Sequence, residues 1–488
     1  MRLADLVDRA DVGTIEVTGL AWNSDAVRPG SLFFCVPDFG ADELDTGHGG
    51  PGAARDALAN GAVALVVERP LGLGVPEVVV PDVRAAIAAI AARFNDNPSE
   101  TLRVIGITGT NGKTTTSFLT RALFEAAGER CGQVGTIATI IGGVEHAMTC
   151  TTPDAIEQQR GFRAMLDAGD TTCVIEVSSH ALELRRVDST RFAAAIFTNL
   201  TQDHLDFHES LDAYWAAKRR LFEFGPGVSV INIDDPYGRQ LAEEFPRSVT
   251  FSINGVADYS ARDLKLGDDG ADFVIHTPSG PVTLSSPLLG RYNVSNLLGA
   301  IAVANQLGLP MDLIARTVPR IGAVPGRLQP VEVGQPFLVF IDYAHTPDAL
   351  ANVLRAAREL TSGRLICVFG CAGERDRGKR AQMGQIAVDL ADDVVVTSDN
   401  PRSESPGAIA AEVLAGVSGP AHVETITDRR LAIARALELA GPGDTVVIAG
   451  KGHEKFQTVA GGRTLPFDDA TIARDELLAS RVAVGDRV

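Results

Sequence analysis

The segment Val104-Ile-Gly-Ile-Thr-Gly-Thr-Asn-Gly-Lys-Thr-Thr-Thr116 constrains the fold of this chain more than any other. It opens as a buried strand and runs into a glycine-rich turn that ends in lysine and threonine. Gly109 and Gly112 let backbone N–H groups come close to an anion, and Lys113 adds a point charge suited to β- and γ-phosphates. The Thr114 hydroxyl is a hard oxygen able to ligate Mg²⁺. After the turn, Phe118, Leu119, Ala122, Leu123 and Ala126 recur at helical spacing, and Gly128 can end the helix. Strand, loop and helix therefore come in the order of a phosphate-binding βα unit, with one departure from the strict spacing. Ile107 stands where a glycine would, so the loop is the shorter G-T-N-G-K-T.

A chain of 488 residues exceeds one ordinary core, and about three domains are expected. No run of about 18 apolar residues suggests a membrane span. The first residues, Met1-Arg-Leu-Ala-Asp-Leu-Val-Asp8, are acidic and amphipathic, unlike a signal peptide. A formal charge of −18 argues against a nucleic-acid partner, so an anionic substrate would need local Arg and Lys. Cysteines 35, 131, 150, 173, 367 and 371 form no CxxC pair and no zinc spacing, as expected of reduced thiols. These features predict a cytoplasmic protein with neither membrane nor nucleic acid as partner.

The pattern predicts three α/β units. In residues 1–95, Ser31–Val36, Val63–Val67 and Glu77–Val80 read as strands between alanine-rich helical stretches, giving a small N-terminal domain. In residues 96–322, the phosphate loop opens a mostly parallel sheet that continues through Thr172–Val177, Ala194–Thr198 and Val228–Ile233. A polar, glycine-rich section over 255–290 reads as an antiparallel insertion, a helix is expected over 293–307, and Pro319 to Pro325 marks a linker. In residues 323–488, Phe337–Ile341, Leu365–Phe369, Val394–Thr397 and Thr445–Ala449 repeat the alternation of a Rossmann-like domain.

Ligands of open α/β sheets sit beyond the carboxyl ends of strands. Glu176-Val-Ser-Ser-His180 and Thr198-Asn-Leu-Thr-Gln-Asp-His204 fall at two such ends. Glu176 is a hard oxygen ligand suited to Mg²⁺, and His204 is a candidate for a second cation, although a lone histidine more often only hydrogen-bonds.

These residues belong to a longer series: G-T-N-G-K-T-T (109–115), T-T-P (151–153), E-V-S-S-H (176–180), N-L-T-Q-D-H-L-D-F-H (199–208), Y-x-x-A-K ending at Lys218, Y-N-V-S-N (292–296), P-G-R (325–327), D-Y-A-H-T-P-D-A-L (342–350) and G-E-R-D-R-G-K-R (373–380). The series resembles the ATP-dependent Mur ligases of peptidoglycan synthesis, with folylpolyglutamate synthetase as a relative, and it covers nearly the whole chain. D-N-P-R (399–402) and G-K-G-H-E (450–454) resemble the branch that adds meso-2,6-diaminopimelate to UDP-N-acetylmuramoyl-L-alanyl-D-glutamate (UDP-MurNAc-L-Ala-D-Glu).

The resemblance implies a UDP-sugar domain, an ATP domain and an amino-acid domain, with ATP and Mg²⁺ required. A substrate carboxylate would be phosphorylated, and an amine would attack the acyl phosphate. Lys113, Glu176, His204 and Lys218 would be catalytic. Thr114 and Glu176 would hold one Mg²⁺, and His204 with a carbamylated Lys218 a second, since a carbamate replaces a repelled ammonium by oxygen ligands. ATP would meet Gly109, Thr110, Asn111, Gly112, Lys113, Thr114, Thr115, Asn293, Asn296, Arg327, Asp342 and His345. The nucleotide-peptide would meet Ser24, Thr151, Thr152, Ser178 and Arg186. Diaminopimelate would meet Arg375, Asp399, Asn400, Arg402, Gly450 and Glu454, with Arg402 buried and pairing with the far carboxylate. Small-molecule substrates and a monomeric state are implied.

The chain departs from the family pattern at several places. Asp25 stands for an arginine near the uridine, and residues 37–50 stray from the usual run, with His48 as a stand-in. Gln329, Ala372 and Glu374 also differ from the common residues. Another Mur ligase, a folylpolyglutamate synthetase-like ligase and a nucleotide-gated regulatory protein without turnover are the alternative readings.

Overall fold

The computed structural model describes residues 1–8, 14–37, 52–146, 150–267 and 269–485. His48 and most of the 37–50 segment lie outside the described residues. The residues gather into two compact units: Met1–Thr108 with Ala127–Ile196 and Trp215–Ser229, and Gly109–Ala126 with Phe197–Tyr214 and Val230–Val488.

The first unit begins with four parallel strands in chain order, Gly19–Ala21, Ser31–Phe34, Ala64–Val67 and Glu77–Val79. The two inner strands, Ser31–Phe34 and Ala64–Val67, are buried along their whole length because both faces are covered. Leu32, Phe34 and Val66 meet helix Val83–Phe94 through Val83, Ile87 and Ile90. The alternate residues Phe33, Cys35 and Leu65 meet Ala54 and Ala57 of helix Ala54–Ala59. A second group of strands follows in the spatial order Phe192–Phe197, Arg103–Thr108, Thr172–Glu176, Cys131–Val134, Thr139–Ile141 and Val144–His146. Arg103–Thr108 and Cys131–Val134 run parallel to Thr172–Glu176, and the last two strands add an antiparallel edge.

The second unit carries the phosphate loop, helix Lys113–Ala126 and helix Arg291–Gln306, the observed form of the helix expected over 293–307. The first helix stops at Ala126, and Gly128 follows with φ 83°. The section over 255–290 is antiparallel as expected, Tyr259–Gly267 pairing with Gly270–Thr277 and that strand with Gly280–Ser286.

The C-terminal sheet of this unit decides where chemistry can occur. Its strands lie in the order Gln329–Pro330, Leu338–Asp342, Thr445–Ala449, Leu365–Phe369, Asp393–Val396 and His422–Thr425, all parallel except the first. Because the four inner strands share a direction, the segments that follow them emerge on one edge: Tyr343–Thr346, Gly370–Arg377, Thr397–Arg402 and Gly450–Lys455. Alternating residues fill two cores, Phe340, Phe369, Val396 and Val447 on one face, and Val339, Ile341, Val368 and Ile448 on the other.

The six cysteines form no disulfide, and burial pushes the thiols of Cys35, Cys367 and Cys371 up to about 12, which keeps them protonated. No helix among the described residues is long and apolar enough to cross a membrane.

Candidate active site

In the second unit the phosphate loop is shaped by its own backbone. Gly109 has φ 147° and Gly112 φ 87°. A Cβ on Gly109 would run into Thr198 Oγ1, and one on Gly112 into Asn296 Oδ1. Segment Thr198–Thr201 clamps the loop from the side. Asn111 N donates to Asn199 Oδ1 at 2.9 Å, Thr198 Oγ1 to the Asn111 carbonyl at 2.6 Å, and Thr110 N to the Asn199 carbonyl at 2.9 Å. The Thr110 hydroxyl meets Tyr214 OH at 3.1 Å and accepts from Thr201 N at 3.0 Å. Lys113 Nζ reaches back to the carbonyls of Gly109 at 2.8 Å and Thr110 at 2.9 Å, so its charge stands at the rim of the cradle.

Arg327 joins this loop to the C-terminal segment. Its Nη2 donates to Thr114 Oγ1 at 3.0 Å, and its guanidinium lies 4.7 Å from the Tyr343 ring centroid. Asn296 Nδ2 donates to Asn293 Oδ1 at 3.2 Å. Asn293 and Arg327 line a cleft of ≈ 310 Å³ with Leu328, Pro330 and Phe340. Asp342 shapes the turn above by accepting from Leu328 N at 2.7 Å and Ala344 N at 2.8 Å, while burial raises its pKa. His345 Nδ1 sits 2.8 Å from the Tyr343 carbonyl, and burial, then Lys379, pushes its imidazole down.

His204 has a left-handed backbone, φ 54°, with Nε2 3.4 Å from Asp203 Oδ2. Burial opposes the Asp203 charge, yet His204, Lys379 and His345 outweigh it and hold the carboxyl well below the usual range.

In the first unit, Glu176 ends its strand fully buried. Thr136 holds both its oxygens, through N at 2.9 Å and Oγ1 at 3.0 Å. Thr136 Oγ1 also meets Thr151 Oγ1 at 3.1 Å. Thr152 Oγ1 donates to the Glu176 carbonyl at 2.8 Å and accepts from Ser178 N at 3.1 Å, while Arg186 Nη1 donates to the Thr152 carbonyl at 3.1 Å. Thr151, Thr152, Ser178, Arg186 and Glu176 are thus one constellation. Ser24 is buried at the start of the 3-10 turn Ser24–Ala26, between the first two strands; Asn60 Nδ2 donates to its carbonyl at 3.0 Å, and Asp25 beside it is exposed. Lys218 lies on helix Leu211–Glu223 and is buried.

The amino-acid residues expected in the C-terminal segment of the second unit separate into an assembled group and an outlier. Asn400 Nδ2 donates to Glu454 Oε2 at 2.9 Å. Gly450, with φ 115°, passes so close to Asp399 that a Cβ would lie 2.8 Å from Asp399 Oδ2. Arg375 is exposed, with Nη1 on the Glu374 carbonyl at 3.1 Å. Arg402 differs from expectation: it is half-buried, not buried, because its backbone turns left-handed at φ 52° and Nη1 is taken by the Gly373 carbonyl at 2.8 Å.

Three residues escaped the motif reading. Thr136 follows the short strand Cys131–Val134, which carries no motif. Lys451 sits inside G-K-G-H-E, yet only its side-chain contacts reveal a role. Arg429 is fully buried, paired with Asp469 at 2.7 Å, and its Nη1 and Nη2 donate to the carbonyls of Ser398 at 3.2 Å and Ala449 at 2.9 Å. It ties together the strand ends from which 399–402 and 450–454 depart.

Comparison with known proteins matches residues 107–304 to the Mur ligase middle domain and residues 326–452 to the Mur ligase glutamate ligase domain. The chain belongs to the Mur ligase family. It is 44% identical over 480 residues to the UDP-N-acetylmuramoyl-L-alanyl-D-glutamate--2,6-diaminopimelate ligase of Syntrophomonas wolfei, covering 96% of each. A solved structure of a UDP-N-acetylmuramoyl-L-alanyl-D-glutamate--2,6-diaminopimelate ligase is similar at 36% identity, TM-score 0.67 and 95% coverage of both chains. A MurF ligase from Thermotoga maritima in complex with ADP shares the fold at 18% identity and TM-score 0.62, covering 95% of this chain and 96% of that one. As a Mur ligase, the chain is an ATP-dependent amide-forming enzyme.

Proposed function

We infer that this Mur ligase joins meso-2,6-diaminopimelate to UDP-MurNAc-L-Ala-D-Glu in the cytoplasm, using ATP. The observation that carries the substrate assignment is the assembled pair Asn400 and Glu454, 2.9 Å apart on the ligand edge of the C-terminal sheet. An amide donor beside a carboxylate matches the carboxylate and ammonium of an amino-acid head. Diaminopimelate carries such a head at both ends; lysine lacks one at the far end. The working domain division is 1–95, 96–322 and 323–488, binding the UDP-sugar, ATP and the amino acid in turn.

The phosphate loop cradles the ATP phosphates with backbone N–H groups, and Lys113 stabilises charge on the transferring γ-phosphoryl group. Asn293, Asn296, Arg327, Asp342 and His345 hold the nucleoside end. Thr151, Thr152, Ser178 and Arg186 orient the nucleotide-peptide, with Ser24 at its uridine end. Its terminal carboxylate oxygen attacks the γ-phosphorus and ADP departs. The diaminopimelate ammonium loses a proton to solvent, the free amine attacks the acyl carbon, and the tetrahedral intermediate breaks its C–O bond to phosphate, which takes the second amine proton and leaves as hydrogen phosphate.

The side chains fit a divalent cation: a threonine hydroxyl, a fully buried carboxylate and an imidazole are oxygen and nitrogen donors of the kind such a cation takes. Thr114 and Glu176 would hold one Mg²⁺, and His204 with a carbamate on Lys218 a second. Bound Mg²⁺ supplies neutralisation of phosphate charge.

Incubation with ATP, Mg²⁺, UDP-MurNAc-L-Ala-D-Glu and a panel of amino acids, followed by mass analysis, tests this function. The expected product is the diaminopimelate amide, formed with one ADP per bond. ATP hydrolysis with no amide product would favour a regulatory protein, and an amide with a different amino acid another Mur ligase.

A further inference from the structure

Lys451 is fully buried, and its ammonium closes a triangle with the two groups assigned to the amino-acid head. Nζ donates to Asn400 Oδ1 at 3.0 Å and to Glu454 Oε2 at 2.7 Å, and Asn400 Nδ2 donates to the same Oε2 at 2.9 Å. Thr458 N also donates to Asn400 Oδ1, at 2.9 Å. An ammonium and a backbone N–H can only donate, so the atom between them must be the amide oxygen. The amide is thereby fixed in one of its two orientations.

We propose that Lys451 is a positioning residue that sets the polarity of the amino-acid site. With Oδ1 committed to Lys451 and Thr458, Asn400 can offer a ligand only its remaining Nδ2–H, and so reads a carboxylate. With Oε2 committed to Lys451 and Asn400, Glu454 keeps Oε1, which accepts no hydrogen bond from any described residue, for an ammonium. Lys451 also neutralises the glutamate, which is 20% exposed, before the substrate arrives. One buried cation thus turns an ambiguous amide and a carboxylate into an ordered donor–acceptor pair matched to a zwitterionic head.

The neighbouring chain supports this order. Gln457 Nε2 donates to the Asp399 carbonyl at 2.6 Å, and Arg402 N to the Thr458 carbonyl at 3.2 Å. The strand Phe456–Val459 therefore braces the 399–402 loop in the register that brings Asn400 to Lys451. The proposal rests on the diaminopimelate reading given above.

The test is steady-state kinetics of full-length Lys451→Met, which keeps the length of the side chain and removes its charge. The expected result is a KM for meso-diaminopimelate raised about tenfold or more, as loss of a charge-assisted hydrogen bond predicts. The KM values for ATP and for the nucleotide-peptide should stay near those of the unmodified enzyme, and preference over lysine should fall. An unchanged diaminopimelate KM, or a common rise in all three KM values, would overturn the proposal. If Lys451→Met does not fold, Glu454→Gln is compared with Lys451→Met/Glu454→Gln, which removes both charges. The double variant should show a further rise in diaminopimelate KM, and equal values overturn the proposal. The unmodified enzyme separates the two levels of inference. Should it fail to use diaminopimelate, the functional reading falls and this role with it; should it use diaminopimelate while the variants show no selective loss, only the role of Lys451 falls.

Discussion

The phosphate loop and the amino-acid loop are both parts of the second unit, and they are built on opposite principles. The phosphate loop is shaped by glycine backbone and by bonds to a segment directly after a neighbouring strand, Thr198–Thr201. It offers N–H groups and one lysine, a surface suited to any nucleotide phosphate. The loop at 399–402 owes its shape to side chains from distant positions: Lys451, Glu454, Gln457 and the buried Arg429. Backbone-built sites recognise a common group, whereas side-chain-built sites select one ligand and depend on every contributor.

The largest expected effect strikes the foundation of the side-chain-built loop. Arg429→Met leaves Asp469 buried and unpaired, which should cost about 3–5 kcal/mol of stability. Chemical denaturation measures the loss, and a variant as stable as the parent would show that the pair does not anchor the loop roots.

Lys113→Ala strikes the other loop. Amide formation should fall by on the order of 10² or more while the circular dichroism spectrum stays native, since transition-state charge loses its partner. Near-normal turnover in the folded variant would remove the phosphate assignment. Gly112→Ala is milder because only one side chain, Asn296, must give way. It should cost about 1–3 kcal/mol through strain and overpacking. It should also raise KM for ATP more than KM for diaminopimelate; the reverse order would contradict the division between the loops.

The smallest effect is a pH dependence confined to the amino-acid side. Hydrogen bonding to Arg380, then to Glu374 N, lowers the Glu404 carboxyl from an ordinary 4.5 to about 2. A depressed carboxylate stabilises the fold above its unfolded pKa, and that contribution is lost as pH falls from about 4.5 to about 2. Glu404→Gln should therefore flatten the acid limb of a stability–pH curve in that window. An unchanged limb would mean that another carboxylate governs it.

The same contrast explains what the sequence disclosed. The phosphate loop lies within contiguous residues 109–115, so its chemistry could be read directly. The inner strands were equally legible, since burial on both faces makes them continuously apolar. The strands Cys131–Val134, Thr139–Ile141 and Val144–His146 are short, and the last, at the sheet edge, is exposed, so no hydrophobic pattern marked them. The hairpin Phe456–Val459 and Arg463–Pro466 was hidden for the same reason. Thr136 reaches Glu176 across 40 residues, Arg429 reaches Asp469 across 40 and Lys451 reaches Asn400 across 51, beyond any local motif. The expectation of a buried Arg402 failed because side-chain depth depends on a left-handed turn and a carbonyl at Gly373 that residue order does not reveal.

Selectivity at the far end of the amino acid tests the central claim most directly. The measurement is kcat/KM for meso-diaminopimelate against lysine, in the unmodified enzyme and in Arg402→Ala. Half-burial lets water reach part of the Arg402 guanidinium, which moderates the penalty for a missing carboxylate. The unmodified enzyme should still prefer diaminopimelate by about 10² or more, and the preference should collapse in the variant. Equal use of the two amino acids by the unmodified enzyme would contradict it.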